Sequence, residues 1–79
     1  MRIDKFLKVS RILKRRTVAG DACSGGKVTV GGKTVKPAYR VKIGDIVSVS
    51  FAGGELRFRV LSLDEKVSAK EADKLYEIL

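Results

Sequence analysis

The chain has no histidine and no tryptophan, and only one cysteine, one proline and one methionine. Without imidazole, the His-dependent triads, metal sites and proton shuttles are excluded. A single thiol, Cys23, makes neither an internal disulfide nor a thiolate zinc site. It fits a reducing compartment, so a cytoplasmic protein is expected, with Cys23 as a small core residue. The carboxylates are scattered rather than set at ligand spacing, so no metal, no cofactor and no catalysis is expected. Long apolar runs are missing too: none approaches the ~20 residues that cross a bilayer. Arg2, Asp4, Lys5 and Lys8 interrupt any signal-like apolar stretch at the N-terminus. No membrane association is expected. The glycine pairs Gly25–Gly26, Gly31–Gly32 and Gly53–Gly54 lack the partners of a Walker loop or dinucleotide fingerprint and read as turns.

What is abundant is positive charge, +8 in 79 residues. It is unevenly placed. Met1–Lys42 holds 12 Lys and Arg against 2 Asp and Glu, whereas Ile43–Leu79 holds 5 against 7. Solubility alone does not require that asymmetry; a polyanion-binding first half does. At 44% hydrophobic and 33% charged, the chain reads as one globular domain over residues 1–79, expected to be a monomer.

Arg2 to Val9 has Ile3, Phe6 and Leu7 at helical spacing, with Arg2, Lys5 and Lys8 on another face. Thr17 is positioned to cap a second helix through about Ser24, with Val18, Ala19, Ala22 and Cys23 as its inner face. Val28–Val30, the turn Gly31–Gly32, and Lys33–Val35 predict a two-residue hairpin. Pro37 lacks an N–H and breaks the pairing. Beyond a Gly44–Asp45 turn, whose carboxylate is expected to accept backbone N–H groups, Ile46–Phe51 and Leu56–Val60 form a second antiparallel pair reversed at Gly53–Gly54. Ser68 and Glu71 have the spacing of a capping box, and Ala72, Leu75, Tyr76 and Leu79 the spacing of a helix face. The fold class is α+β: two N-terminal helices packed on a small antiparallel sheet, with a C-terminal helix.

The densest constellation is Arg2, Lys5, Lys8, Arg11, Lys14, Arg15 and Arg16, cations spaced for backbone phosphates rather than for a small ligand. Lys33, Lys36 and Arg40 extend it, with Lys27 and Lys42 adding charge. Phe6, Phe51 and Phe58 fall at periodic core positions; Tyr39, in a basic loop, either packs or contacts a base. So few aromatic platforms favour structured RNA held by shape and phosphate over a single strand read by stacking.

Arg2-Ile3-Asp4-Lys5-Phe6-Leu7, then Arg16-Thr17-Val18-Ala19, then Gly26 to Gly32, then Val41-Lys42-Ile43-Gly44-Asp45 stand in an order and spacing that resembles the S4 RNA-binding domain, over about residues 1 to 50. The resemblance implies RNA bound along the helix pair and the adjoining loop, an S4-like (alpha-L) arrangement. It places Arg2, Lys5 and Arg16 at phosphate-contacting positions and Asp4 at the family's acidic position in the first helix; on physical grounds, Asp4 beside Arg16 or Arg15 would fix the guanidinium direction. Gly31–Gly32 replaces the family's usual Asn-Gly, and Cys23 and Ser24 replace branched aliphatics. The start through Arg16-Thr17 and the ending Glu71–Leu79 resemble the short stand-alone members of ribosome-associated quality control. That subgroup implies a factor on the stalled large ribosomal subunit that binds ribosomal RNA and tRNA and supports a nascent-chain tailing partner that adds C-terminal alanines. A heat-shock-type relative that binds free large subunits, and a general nucleic-acid-binding protein, are the alternatives. The former carries a long basic C-terminal extension that this sequence does not show.

Overall fold

A computed structural model describes residues 1–79. Helices α1 (Ile3–Val9) and α2 (Arg16–Ser24) lead into strands β1 (Val28–Val30), β2 (Lys33–Thr34), β3 (Ile46–Phe51) and β4 (Gly54–Val60). A 3-10 helix (Ala69–Leu75) and strand β5 (Tyr76–Ile78) follow. The five strands form one antiparallel sheet in the order β2-β1-β3-β4-β5. Gly31 and Gly32 both take positive φ, 59° and 86°, as the tight β1–β2 turn requires.

The core lies between the helix pair and one face of the sheet. Alternation puts Val28, Val47, Val49, Phe58 and Val60 on that face, where they meet Ile3, Phe6 and Leu7 of α1 and Ala19 and Cys23 of α2. Phe6 stacks on Phe58 at 6.1 Å between ring centres, and Tyr76 meets Phe58 edge-on at 5.6 Å. Cys23 is 4% exposed, and burial, followed by the nearby Asp4 charge, raises its thiol pKa. It is a core residue, as expected.

The N-cap residue of α1, Arg2, makes no side-chain cap bond. The leading N–H groups of the helix are satisfied from a distant segment instead: Ile3 N donates to Tyr39 O at 2.7 Å and Asp4 N to Pro37 O at 3.3 Å. Val41 N donates to Met1 O at 3.0 Å, and Arg2 bridges Arg40 in antiparallel fashion. The Pro37–Val41 strip therefore runs beside the N-terminus and fixes where α1 begins.

Four expectations are corrected. Val18, placed on the inner face of α2, is 47% exposed, and the buried residues of that helix are Ala19 and Cys23. The N-cap of α2 is Arg15 rather than Thr17, without a side-chain cap bond, so the helix starts earlier than Thr17. The C-terminal helix is a 3-10 segment that stops at Leu75, and Ser68 does not cap it through its side chain. Ala72 and Leu75 are buried as their spacing predicts, but Tyr76–Ile78 becomes a strand. The open edge of β4 offers backbone groups that a further helical turn would leave unpaired. Phe51, expected in the core, is 45% exposed. It continues the inner row of Val47 and Val49 at the end of β3, and its cross-strand partner is Gly54, which has no side chain to cover the ring.

Candidate nucleic-acid interface

The site is built on Asp4. Its carboxylate is only 8% exposed, yet it sits where α1 meets α2. One oxygen accepts from Arg2 Nη2 at 3.1 Å; the other accepts the Lys5 backbone N–H at 2.7 Å and lies 3.4 Å from Arg16 Nη2. Arg2 flanks the start of α1 and Arg16 opens α2, so a single buried anion draws together guanidinium groups from both helices. Each guanidinium is nearly half exposed and has further N–H groups to give. Of the two arginines suggested for contact with Asp4, the structure selects Arg16.

Arg2, Asp4 and Arg16 open onto a polar groove of about 550 Å³ floored by the small residues Thr17, Gly20 and Ser24 and bounded by Asp21 and Pro37. Lys36 and Pro37 border a second depression toward the end of α2, so Lys36 adjoins the same groove. Arg40 joins the site through its backbone pairing with Arg2.

The other candidate residues are placed differently. Lys8, Lys14 and Arg15 are exposed and lack a carboxylate partner, on α1 and the α1–α2 loop. Arg11, also exposed and unpaired, has φ 66°, the left-handed backbone that glycine usually supplies after a helix; its N–H donates to Lys8 O at 3.0 Å. Lys33 lies out on edge strand β2 and lines neither depression. Lys5 is diverted: its ammonium pairs with Glu65, whose carboxyl is held below the usual range by that hydrogen bond and charge. Tyr39 is half-buried against the core and donates its hydroxyl to Asp45 at 3.0 Å, so packing describes it better than an open platform. Asp45 also accepts the Lys42 N–H at 2.9 Å, the turn role expected of it.

Two participants are not among the residues that the sequence singles out, Asp21 and Glu65. Asp21 left one signal, as one of only two acids in the basic half. Glu65 left none, because it stands far along the chain from Lys5.

An antiparallel sheet with a short helix pair across one face and a run of exposed, unpaired cations beside it has the make-up of a small RNA-binding module. The family model for the S4 domain matches residues 1–47, and the chain belongs to the S4 domain family. It is 42% identical over 78 residues to the RQC P-site tRNA stabilizing factor of Halalkalibacterium halodurans, covering 99% of this chain and 89% of that protein. To the protein of the same name from Bacillus subtilis it is 39% identical, covering 100% of this chain and 92% of the relative. Among solved structures, heat shock protein 15 of Vibrio cholerae, described as trimeric, superimposes with a TM-score of 0.92 at 30% identity, over 100% of this chain and 81% of that one.

Proposed function

We propose that this protein is a non-catalytic, cytoplasmic RNA-binding factor of ribosome-associated quality control. It binds an obstructed large ribosomal subunit through ribosomal RNA and tRNA, so that a partner factor extends the stalled chain with C-terminal alanines. The observation that carries the reading is the Asp4-held pair Arg2 and Arg16 at the mouth of the polar groove. Two guanidinium groups ordered by one buried carboxylate offer N–H forks at fixed positions, which suits successive phosphates of a rigid, folded RNA. Arg40, Lys36, Arg11, Lys8, Lys14 and Arg15 extend the positive field around them, and Lys33 adds charge from the sheet edge. The tRNA part of the reading rests on the relatives named P-site tRNA stabilizing factors, matched over nearly their whole length.

The test is affinity purification of the tagged protein at mild salt, with sequencing of bound RNA and identification of bound proteins. Large-subunit RNA together with tRNA and a tailing factor is the expected result. Large-subunit RNA without tRNA supports the second reading, a heat-shock-type factor on free subunits, which the 0.92 superposition favours. Recovery of bulk DNA overturns both.

A further inference from the structure

A third depression lies on the other flank of α2 from the polar groove, and its character is different. Leu13 from the α1–α2 loop, Val18 and Ala22 from α2, and Val49 and Phe51 from β3 line a depression of about 270 Å³. Val49 is fully buried and makes the floor, whereas Val18 and Phe51 are 47% and 45% exposed. These two are the large apolar residues of the groove that the fold leaves exposed. Val18 points away from the α1 contact made by Ala19 and Cys23, and Phe51 has only Gly54 across from it.

The surroundings indicate what covers them. The groove starts at Leu13, directly beside Lys14, Arg15 and Arg16, so it continues the basic face rather than standing apart from it. Lys27 lies on its rim, and none of Lys14, Arg15 and Lys27 has a carboxylate partner. One acid is present. Asp21 lines both this groove and the polar one and makes no ion pair, although Lys14, Arg15 and Lys27 are themselves unpaired. A carboxylate is a poor neighbour for phosphate but a good acceptor for the N–H groups of a base edge. Flat apolar walls, one exposed aromatic ring, an unpaired acceptor and a rim of cations match an unstacked nucleotide.

We propose that this groove receives one unstacked nucleobase of the RNA whose backbone runs over Arg2 and Arg16, the base packing on Phe51 and Val18 with Asp21 accepting from its donor edge. A guanine, with adjacent N–H groups on its Watson–Crick edge, fits that acceptor best. This inference rests on the RNA-binding reading above. It adds a nucleotide-specific contact to a surface otherwise described by charge alone.

The experiment titrates the full chain against three RNA hairpins of equal length: fully paired, carrying one bulged guanosine, and carrying an abasic bulge. The parent is expected to bind the bulged-guanosine hairpin about tenfold more tightly than the other two, the scale of one base stacked on an aromatic ring. Phe51→Ala and Val18→Glu, both at exposed positions, are expected to erase that preference while leaving affinity for the paired hairpin and the melting temperature near the parent's. Asp21→Asn is expected to narrow the gap between guanosine and abasic bulges. Equal parent affinity for the three hairpins, or a preference that survives both Phe51→Ala and Val18→Glu, overturns the nucleobase pocket and leaves the RNA-binding reading standing. If both variants keep every RNA affinity but lose binding to a protein partner, the groove is a protein-docking site and the proposal is overturned. No binding of the parent to any hairpin overturns the RNA reading and this one together.

Discussion

Two arginine–carboxylate pairs, one in each half of the chain, are chemically alike and behave differently. Arg59 and Glu77 join strands β4 and β5 at 2.8 Å, with both side chains about half exposed. Arg16 and Asp4 join α2 to α1 at a longer 3.4 Å, but Asp4 is 8% exposed and also holds Arg2 and the Lys5 N–H. Distance is therefore the wrong measure of importance. An exposed pair is screened by water and salt and contributes about 0–1 kcal/mol. A shielded carboxylate with several donors holds its partners in one geometry, and removing one leaves buried charge uncompensated. In the first half this ionic cluster orders the proposed RNA face, and the Arg59–Glu77 pair lies outside it; the apolar core that closes the fold draws on both halves, down to Leu75.

The largest expected effect tests that division from the second half. Leu75 is 1% exposed, and Leu75→Ala is expected to lower stability by about 2–5 kcal/mol in chemical or thermal unfolding. RNA affinity at temperatures where the variant remains folded should match the parent's; a folded variant that has lost affinity would break the division.

Salt comes next. If about five phosphates are neutralised by the first half, affinity for large-subunit RNA should fall roughly a hundredfold or more between ~50 and ~200 mM salt. A flat dependence would remove phosphate contact as the source of affinity.

Charge reversal then compares the two pairs directly. Arg16→Glu is expected to weaken co-sedimentation with large subunits by about tenfold or more, since it repels phosphate and places a second carboxylate against Asp4. Arg59→Glu changes net charge equally and should cost about threefold at most. Equal losses would mean that overall charge, not the ordered face, determines binding.

Asp4→Asn separates ordering from charge by sign. Removing an acid from a basic face should tighten RNA binding if Coulomb attraction alone matters. Freed guanidinium groups that must be re-ordered on binding should instead weaken it several-fold, at about 0.5–1.5 kcal/mol per side chain. Filter-binding titration at fixed salt is expected to show the weakening. The smallest effect belongs to Glu65→Gln, which frees Lys5 and should raise affinity by about twofold, as expected for an exposed pair; a loss of affinity would make the Lys5–Glu65 contact part of the binding face.

Much of the architecture is legible in the sequence. Ile3, Phe6 and Leu7 mark α1, the alternation of Leu56, Phe58 and Val60 marks β4, and Gly31–Gly32 marks the hairpin, because each signal is complete within a few residues. The misread C-terminus shows the limit. Ala72 and Leu75 match a helical face, yet the exposed edge of β4 decides that the next three residues pair as a strand. Phe51 fails in the same way: its parity in β3 is that of a core residue, but its cross-strand neighbour is Gly54, and the ring is left 45% exposed.

The sequence by itself determined the concentration of cations in the first 42 residues, the absence of imidazole chemistry, the α+β class and the order of most of its elements. These follow from composition and short-range periodicity, which the chain carries wherever it folds. The tertiary structure alone decided that Pro37 and Tyr39 carbonyls cap α1, that Asp4 takes Arg16 and not Arg15 across the two helices, that Glu65 occupies Lys5, and that Val18 and Phe51 lie half exposed beside the basic loop. Each depends on which distant segment satisfies a backbone N–H, pairs a charge or covers a side chain. Those partners are assigned only when the helices settle on the sheet.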